Sequence, residues 1–262
     1  MHYLQNKKLY IFDMDGTIYL GNCVFPFAVD FISQLRREGK RILFFTNNAS
    51  HSPDHYIKKL TRLGFNPLRE ELLTSADVTI AYLNSYRAGK KVFLVGTPEL
   101  CEQFAEANIP LSDDADIVVT SFDTTLTYEK LRKACQLIHN GAEYLSTHPD
   151  FNCPVENGFI PDSGSIASLV TASTGVTPKY FGKPHTEAVN AICDITDVKT
   201  EDMVIFGDRL YTDIAFGKRH GITSVLVLTG ETKQSDVKSA ANTDLADYVF
   251  PSLRVVHALW NE

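Results

Sequence analysis

The segment Leu9-Tyr10-Ile11-Phe12-Asp13-Met14-Asp15-Gly16-Thr17 constrains this chain more than any other stretch of it. Its first four residues are apolar, β-branched or aromatic and read as a short buried strand. The run ends in two carboxylates spaced i, i+2, ahead of a glycine that can take φ > 0 and turn the chain away. Buried strands tolerate no unpaired charge, so Asp13 and Asp15 belong just past the hydrogen-bonded ladder, where a cation could offset their repulsion. Asp and Gly are also ordinary turn residues, and the segment by itself is readable as a plain turn.

Three further apolar runs end in comparable chemistry. Arg41-Ile42-Leu43-Phe44-Phe45 leads into Thr46-Asn47-Asn48, whose small polar side chains and backbone N–H groups suit an anion. Tyr180-Phe181-Gly182-Lys183-Pro184 ends in a lysine, and Met203-Val204-Ile205-Phe206 ends in Gly207-Asp208, with Asp213 five residues further on. In a parallel sheet the strand ends form the carboxyl edge where such folds bind ligands, and all four runs are expected to deliver their polar residues there.

Strand and helix patterns alternate along the rest of the chain. Helices are expected over 26–38, after Ser52-Pro53 up to Gly64, and from Thr74-Ser75 to about residue 86. Lys58 and Lys59, on the second of these, read as a solvated face. From residue 90 a second set begins: strand 91–95, a helix after Thr97-Pro98, strand 116–120, helix 127–139 and strand 143–147. This set separates the Thr46 and Lys183 stations by over a hundred residues, which an inserted domain explains. The division predicted is 1–80 with 180–262 as one domain and 81–179 as the insertion, with exits near Tyr82-Leu83 and Thr177-Pro178-Lys179. Strand 224–228 and helix 253–260 return the chain to the first domain.

The order Asp-x-Asp-Gly-Thr, Thr-Asn-Asn, Gly-Lys-Pro and Gly-Asp-x-x-x-x-Asp resembles the haloacid dehalogenase superfamily, and in particular its NagD-like, nitrophenylphosphatase-like phosphatases. Thr147-His148-Pro149-Asp150, Gly164-Ser165-Ile166 and Gly207-Asp208-Arg209-Leu210-Tyr211-Thr212-Asp213 resemble the same branch, so the likeness runs along essentially the whole chain. It implies an α/β fold with a doubly wound, Rossmann-like parallel core and an inserted α/β cap. The activity implied is hydrolysis of small phosphate monoesters such as sugar phosphates, nucleoside monophosphates and nitrophenyl phosphate.

The resemblance also carries roles. Asp13 is the nucleophile that forms an aspartyl-phosphate, and Asp15 is the general acid/base, its main-chain carbonyl joining a Mg²⁺ shell that Asp13 and Asp208 complete. Hard oxygen ligands suit that ion, and a carboxylate attacking a phosphate dianion needs its charge neutralised. Asp213 matches the motif's last acid, as metal ligand or orienting group, while Thr212-Asp213 also suits a helix N-cap. Thr46, Asn47 and Lys183 match phosphate-binding positions, and Arg209 a support for the loop. His148, Asp150 and the Gly164-Ser165 turn match cap positions that approach the leaving group; His148 is equally readable as a surface-loop histidine. A second acid that can protonate a leaving alkoxide favours an ester substrate over a halide. A phosphomutase or phosphotransferase on the same scaffold, or a ligand-sensing protein without turnover, are the alternatives.

Composition bounds the partners. A chain of 262 residues, 44% hydrophobic, can bury one large or two smaller cores, and a net charge of −7 offers no basic stripe for a nucleic-acid polymer. No apolar run approaches the length of a membrane span, so a cytoplasmic protein is expected, with a small phosphate ester as its partner and self-association into a homo-oligomer left open. Five cysteines without a C-x-x-C pair suggest neither a disulfide frame nor a thiolate metal site.

Overall fold

The computed structural model describes residues 2–155, 158–241 and 244–262, and the chain divides into two compact units. One comprises Met1–Thr46, Tyr56–Leu73 and Val189–Glu262; the other comprises Asn47–His55 and Thr74–Ala188. This division assigns 47–55, 74–80 and 180–188 to the second unit, outside the sequence-derived limits of 81 and 179. The helix Ser75–Tyr86 runs unbroken through Tyr82 and Leu83, where one exit was expected.

The first unit is built on a six-stranded sheet. In spatial order its strands are Tyr248–Phe250, Thr223–Val227, Met203–Gly207, Leu9–Phe12, Arg41–Thr46 and Leu72–Thr74. The Leu9 strand lies at the centre, parallel to both neighbours. All four of its residues are buried, which is why the run shows no polar alternation. Side chains alternate across it. Tyr10 and Phe12 face a core shared with Phe44, Val204 and Phe206, covered by Phe31 and Leu35 of the helix Ala28–Arg37 and by Val256 and Trp260 of the helix Leu253–Trp260. On the other face Phe45 meets Phe216 of the helix Ala215–His220, ring centroids 5.9 Å apart. Helices on both faces of a parallel sheet make this the doubly wound arrangement.

Phe12 is the hub of the first face. It stacks on Phe206 at 4.8 Å and meets Phe31 edge-on at 6.3 Å. Phe12→Ala removes a fully buried ring one residue before Asp13 and is expected to destabilise the protein by about 3–5 kcal/mol. Denaturant unfolding checks this: a midpoint within error of wild type would contradict the packing described.

The second unit has its own four-stranded parallel sheet, ordered Lys179–Tyr180, Glu143–Ser146, Ile117–Thr120 and Val92–Val95. Helices Pro98–Glu106, Tyr128–His139 and Ser163–Thr174 begin at Thr97, Thr127 and Asp162, each of which accepts a backbone N–H from the first turn. Val95, Val118, Leu137, Tyr144, Ile166 and Val170 fill the core. An antiparallel hairpin, Asn152–Val155 with Gly158–Pro161, precedes the Ser163 helix.

Two expectations need correction. The run at Tyr180 joins the second unit's sheet, pairing with Leu145 and Ser146, and not the sheet that holds Asp13. A two-residue strand carries no mark of its partner, and after the Ser163 helix the free parallel edge of Glu143–Ser146 is the one it meets. Gly164 and Ser165, expected as a free-standing turn, lie in the first turn of a helix. Only glycine fits there, because a Cβ at Gly164 would run into the Pro149 carbonyl.

Candidate active site

In the first unit three neighbouring parallel strands end side by side. Phe12 lies level with Phe44 on one side and Phe206 on the other, so the residues that follow, Asp13, Thr46 and Asp208, emerge at one edge. Asp13 still donates its N–H to the Phe206 carbonyl at 2.9 Å, which anchors the side chain at the last rung of the ladder. Side-chain oxygens of Asp13, Asp208 and Asp213 lie within 4.8 Å of one another, and Asp208 and Asp213 are buried.

Local backbone chemistry makes this convergence. Gly16 sits at φ +92, and a Cβ there would lie 2.5 Å from Asp208 Oδ2. A Cβ at Gly230 would collide with the same carboxylate, and one at Gly207 with Asp213. The turn opened by Gly16 carries Thr17, whose Oγ1 lies 3.5 Å from Asp13 Oδ2 and 3.4 Å from Asp208 Oδ1. Asp208 Oδ2 accepts the Glu231 N–H at 2.6 Å. Asp213 lies within a π-helical turn, Leu210–Ile214, and its Oδ2 accepts the Arg209 N–H at 3.2 Å. Such turns occur often at functional sites, because the extra residue re-aims a side chain. Asp213 is therefore inside the turn, and the helix that follows has Ile214 at its N-cap. Arg209 pairs with Glu231 at 3.0 Å and so ties the loops after two strands together.

Burial, and then the charge of Asp213, push the Asp208 carboxyl up to about 7. Clustered, buried carboxylates of this kind are costly unless a cation neutralises them. The donor set is hard oxygen only, and the three glycines leave its approaches clear, so the residues fit a divalent cation of the Mg²⁺ or Ca²⁺ type.

The Asp15 side chain is not part of that trio. It accepts the Tyr19 hydroxyl at 3.2 Å and faces Lys59 Nζ at 3.8 Å. Burial raises its carboxyl above the ordinary range, and Lys59 opposes that shift. Lys59 also lies over the Tyr19 ring, 4.0 Å from its centroid. The two carboxylates of Asp-x-Asp thus have separate surroundings, an acidic cluster for Asp13 and a phenol with an ammonium for Asp15.

A second constellation lies within the second unit. The side-chain amide of Asn47 pairs with the main chain of Lys183: Oδ1 accepts the Lys183 N–H at 2.8 Å, and Nδ2 donates to the Lys183 carbonyl at 3.0 Å. Nδ2 also lies 3.2 Å from each carboxylate oxygen of Asp150. Gly182 is required beside it, since a Cβ there would lie 2.5 Å from Asn47 Oδ1. His148 is wholly buried, with Nε2 2.8 Å from Asp162 Oδ1 and Nδ1 3.2 Å from Ser75 Oγ. Ser75 Oγ donates to the Asn47 carbonyl at 2.5 Å.

Lys59, Tyr19, Thr17, Ser75 and Asp162 were not singled out in the sequence. Lys59 was read as solvated, yet its side chain is only 16% exposed. Its position three residues after Tyr56 and one before Leu60, both buried, was the available signal, for it puts Lys59 at the margin of the helix's inner face. Lys58 is exposed as expected.

Comparison with known proteins agrees with these features. Residues 10–110 match the family model described as haloacid dehalogenase-like hydrolase, and residues 180–256 match a second, HAD-hydrolase-like model. An acid sugar phosphatase of Staphylococcus saprophyticus is 35% identical over 237 residues, 90% of this chain and 92% of that protein. The crystal structure of a 4-nitrophenylphosphatase from Thermotoga maritima superposes with a TM-score of 0.94 at 40% identity, covering 98% of this chain and 99% of that one. A glycerol phosphate phosphatase from Mycobacterium tuberculosis, solved in complex with calcium, gives 0.89 at 31% identity over 97% of this chain and 76% of that one. The strand-end acids, the sheet order and these likenesses agree: the chain belongs to the haloacid dehalogenase-like hydrolase family, among its NagD-like and nitrophenylphosphatase-like phosphatases.

Proposed function

We propose that this protein hydrolyses small phosphate monoesters, sugar phosphates and nitrophenyl phosphate among them, in the cytoplasm, through an aspartyl-phosphate on Asp13. The observation that carries the reading is the separation of the two carboxylates, Asp13 among Asp208 and Asp213, Asp15 beside Tyr19 and Lys59. Names of relatives that act on sugar phosphates and nitrophenyl phosphate support the substrate class.

A carboxylate oxygen of Asp13 attacks phosphorus while the ester P–O bond breaks, and Asp15 gives its proton to the departing alkoxide. Asp15 then takes a proton from water, whose oxygen attacks the same phosphorus and breaks the Asp13 O–P bond. Inorganic phosphate leaves, and both acids return to their starting state. Asp13, Asp208 and Asp213, with the Asp15 carbonyl, are the proposed holders of Mg²⁺, which supplies neutralisation of charge on the nucleophile and phosphoryl oxygens when bound. Thr46, Asn47 and Lys183 are assigned to the phosphoryl group, with the Lys183 ammonium as its cation. Residues 81–179 are proposed as a cap inserted into a core of 1–80 and 180–262, with Asp150 on the side of the leaving group and His148, wholly buried, supporting the site from within the second unit.

Release of inorganic phosphate from a panel of esters by purified protein with Mg²⁺ tests the reading, with water compared against sugar acceptors. Transfer to the acceptor in preference to water would make it a phosphotransferase instead. Lys59 gives a finer prediction. Lys59→Met removes the charge that orients Asp15 while leaving the aliphatic stem, and should lower kcat/KM for an alkyl phosphate about tenfold, within the range of general acid–base contributions. Nitrophenyl phosphate, whose leaving group needs little protonation, should lose less. Equal losses on both would detach Lys59 from the proton-transfer step.

A further inference from the structure

His148 is wholly buried, and both of its ring nitrogens have polar contacts. Ser75 Oγ spends its hydrogen on the Asn47 carbonyl at 2.5 Å, and Thr147 Oγ1 spends its own on Ser121 Oγ at 3.0 Å. Both hydroxyl oxygens also lie against His148 Nδ1, at 3.2 Å and 3.0 Å. With those hydrogens committed elsewhere, only an N–H on Nδ1 turns these contacts into hydrogen bonds. At the other side of the ring, Asp162 Oδ1 lies 2.8 Å from Nε2 and already accepts the Ser163 N–H at 2.6 Å. That oxygen is an acceptor, so Nε2 must donate too.

We propose that His148 is a permanently protonated imidazolium, a positioning residue whose Nδ1–H fixes the Ser75 hydroxyl and through it the Asn47 strut that holds Lys183. Asp162, at the N-cap of the Ser163 helix, is its hydrogen-bonded counter-ion, and Asp150, in the loop after the Glu143 strand, is the second carboxylate. One oxygen of each lies within 4.8 Å of a His148 ring nitrogen. Ser75, from the start of the Ser75 helix, and Thr147, just past the end of the Glu143 strand, are neutral groups that lie against Nδ1. Lys183 joins through Asn47. Buried carboxylates this close are costly without a cation nearby, and an imidazolium offsets that cost. If Nδ1 lost its hydrogen, the Ser75 hydroxyl would turn toward the bare nitrogen and the Asn47 carbonyl would lose its donor. A ring that keeps both protons is neither a general acid nor a base for the reaction. Its importance for turnover rests on the assignment of Lys183 to the phosphoryl group.

The test is ¹⁵N–¹H correlation spectroscopy of the full-length protein, with His148 assigned by comparison with His148→Gln. Both ring nitrogens should resonate as protonated from about pH 5 to about pH 8, the range across which an ordinary histidine loses its charge. Asp162→Asn, which retains an N-capping side chain, should convert His148 to a titrating neutral ring. It should also lower kcat/KM on sugar phosphates and nitrophenyl phosphate alike, roughly tenfold or more, as misplacement of a binding group does. If His148→Gln does not fold, the resonances that move in Asp162→Asn identify the ring. One bare ring nitrogen in the wild-type protein at neutral pH would overturn the charge assignment. A neutral His148 in Asp162→Asn with undiminished kcat/KM would overturn the positioning role. An imidazolium in a protein that cleaves no ester would sustain the charge assignment and remove the functional reading on which its role in turnover rests.

Discussion

Asp13→Asn is expected to lower turnover by roughly four orders of magnitude or more, the scale seen when a nucleophile is removed from a group of residues that act as a unit. The side chain keeps its shape, so the N–H bond to Phe206 and the strand beneath it persist. What disappears is the oxygen that bonds to phosphorus and one negative charge of a cluster whose carboxylates lie within 4.8 Å of each other. Folding stability should therefore be unchanged or slightly raised, because repulsion is relieved. Asp15→Asn offers the contrast. It leaves the acidic trio intact but removes the proton donor, so the loss should be large on alkyl phosphates and smallest on nitrophenyl phosphate. Single-turnover rates on both esters, with unfolding midpoints for both variants, check the pair. Wild-type rates for Asp13→Asn would remove the proposed chemistry altogether.

Metal removal has the second large effect. Excess chelator should reduce turnover at least roughly a thousandfold, since a bound cation supplies several kcal/mol of charge stabilisation and each 1.4 kcal/mol is about a factor of ten. Mg²⁺ should restore activity, and Ca²⁺ should restore little of it, because its larger and looser oxygen shell alters the geometry of in-line attack. A readout independent of catalysis is available. A cation that binds only the folded chain raises the melting temperature as its concentration exceeds the dissociation constant, and here it would also offset the burial and the Asp213 charge that push Asp208 up to about 7. Full turnover in chelator, with no shift in melting temperature on adding Mg²⁺, would detach the acidic cluster from metal binding.

Much of the first unit could be read from the order of residues because its rules are local. A buried parallel strand is a short apolar run, and a residue placed just past its end must lie at the sheet edge, so Asp13, Thr46 and Asp208 were legible one by one. Threonine caps at Thr97 and Thr127 were legible for the same reason, since a cap satisfies its own first turn. Lys183 shows where local reading stops. The expected strand ending in Lys183 is a two-residue strand, Lys179–Tyr180, that stops short of it and pairs with Leu145 and Ser146, and pairing partners are decided by which edges remain open after longer elements have packed. Lys59 and Asp162 were missed because their partners, Asp15 and His148, come from other segments of the chain. The hydrogen bonds between them follow from tertiary packing, which no spacing rule encodes.

The central position of the strand Leu9–Phe12 affects how the protein is made. Leu9 pairs with Arg41 on one side and with Met203 on the other, a separation of 194 residues along the chain. A ribosome therefore releases the central strand of the first unit long before one of its neighbours exists, and Phe12 waits for Phe206 with a face exposed. The second unit has no such delay, because the strands of its sheet run from Val92 to Tyr180 and can close as soon as the last of them emerges. Pairings of long sequence separation are slow to form. The nascent chain thus carries a finished sheet between the two halves of an unfinished one, and a stall or premature stop between residues 180 and 203 would leave the strand Leu9–Phe12 without one wall of its core. Such a product would be a natural client for chaperones and proteases.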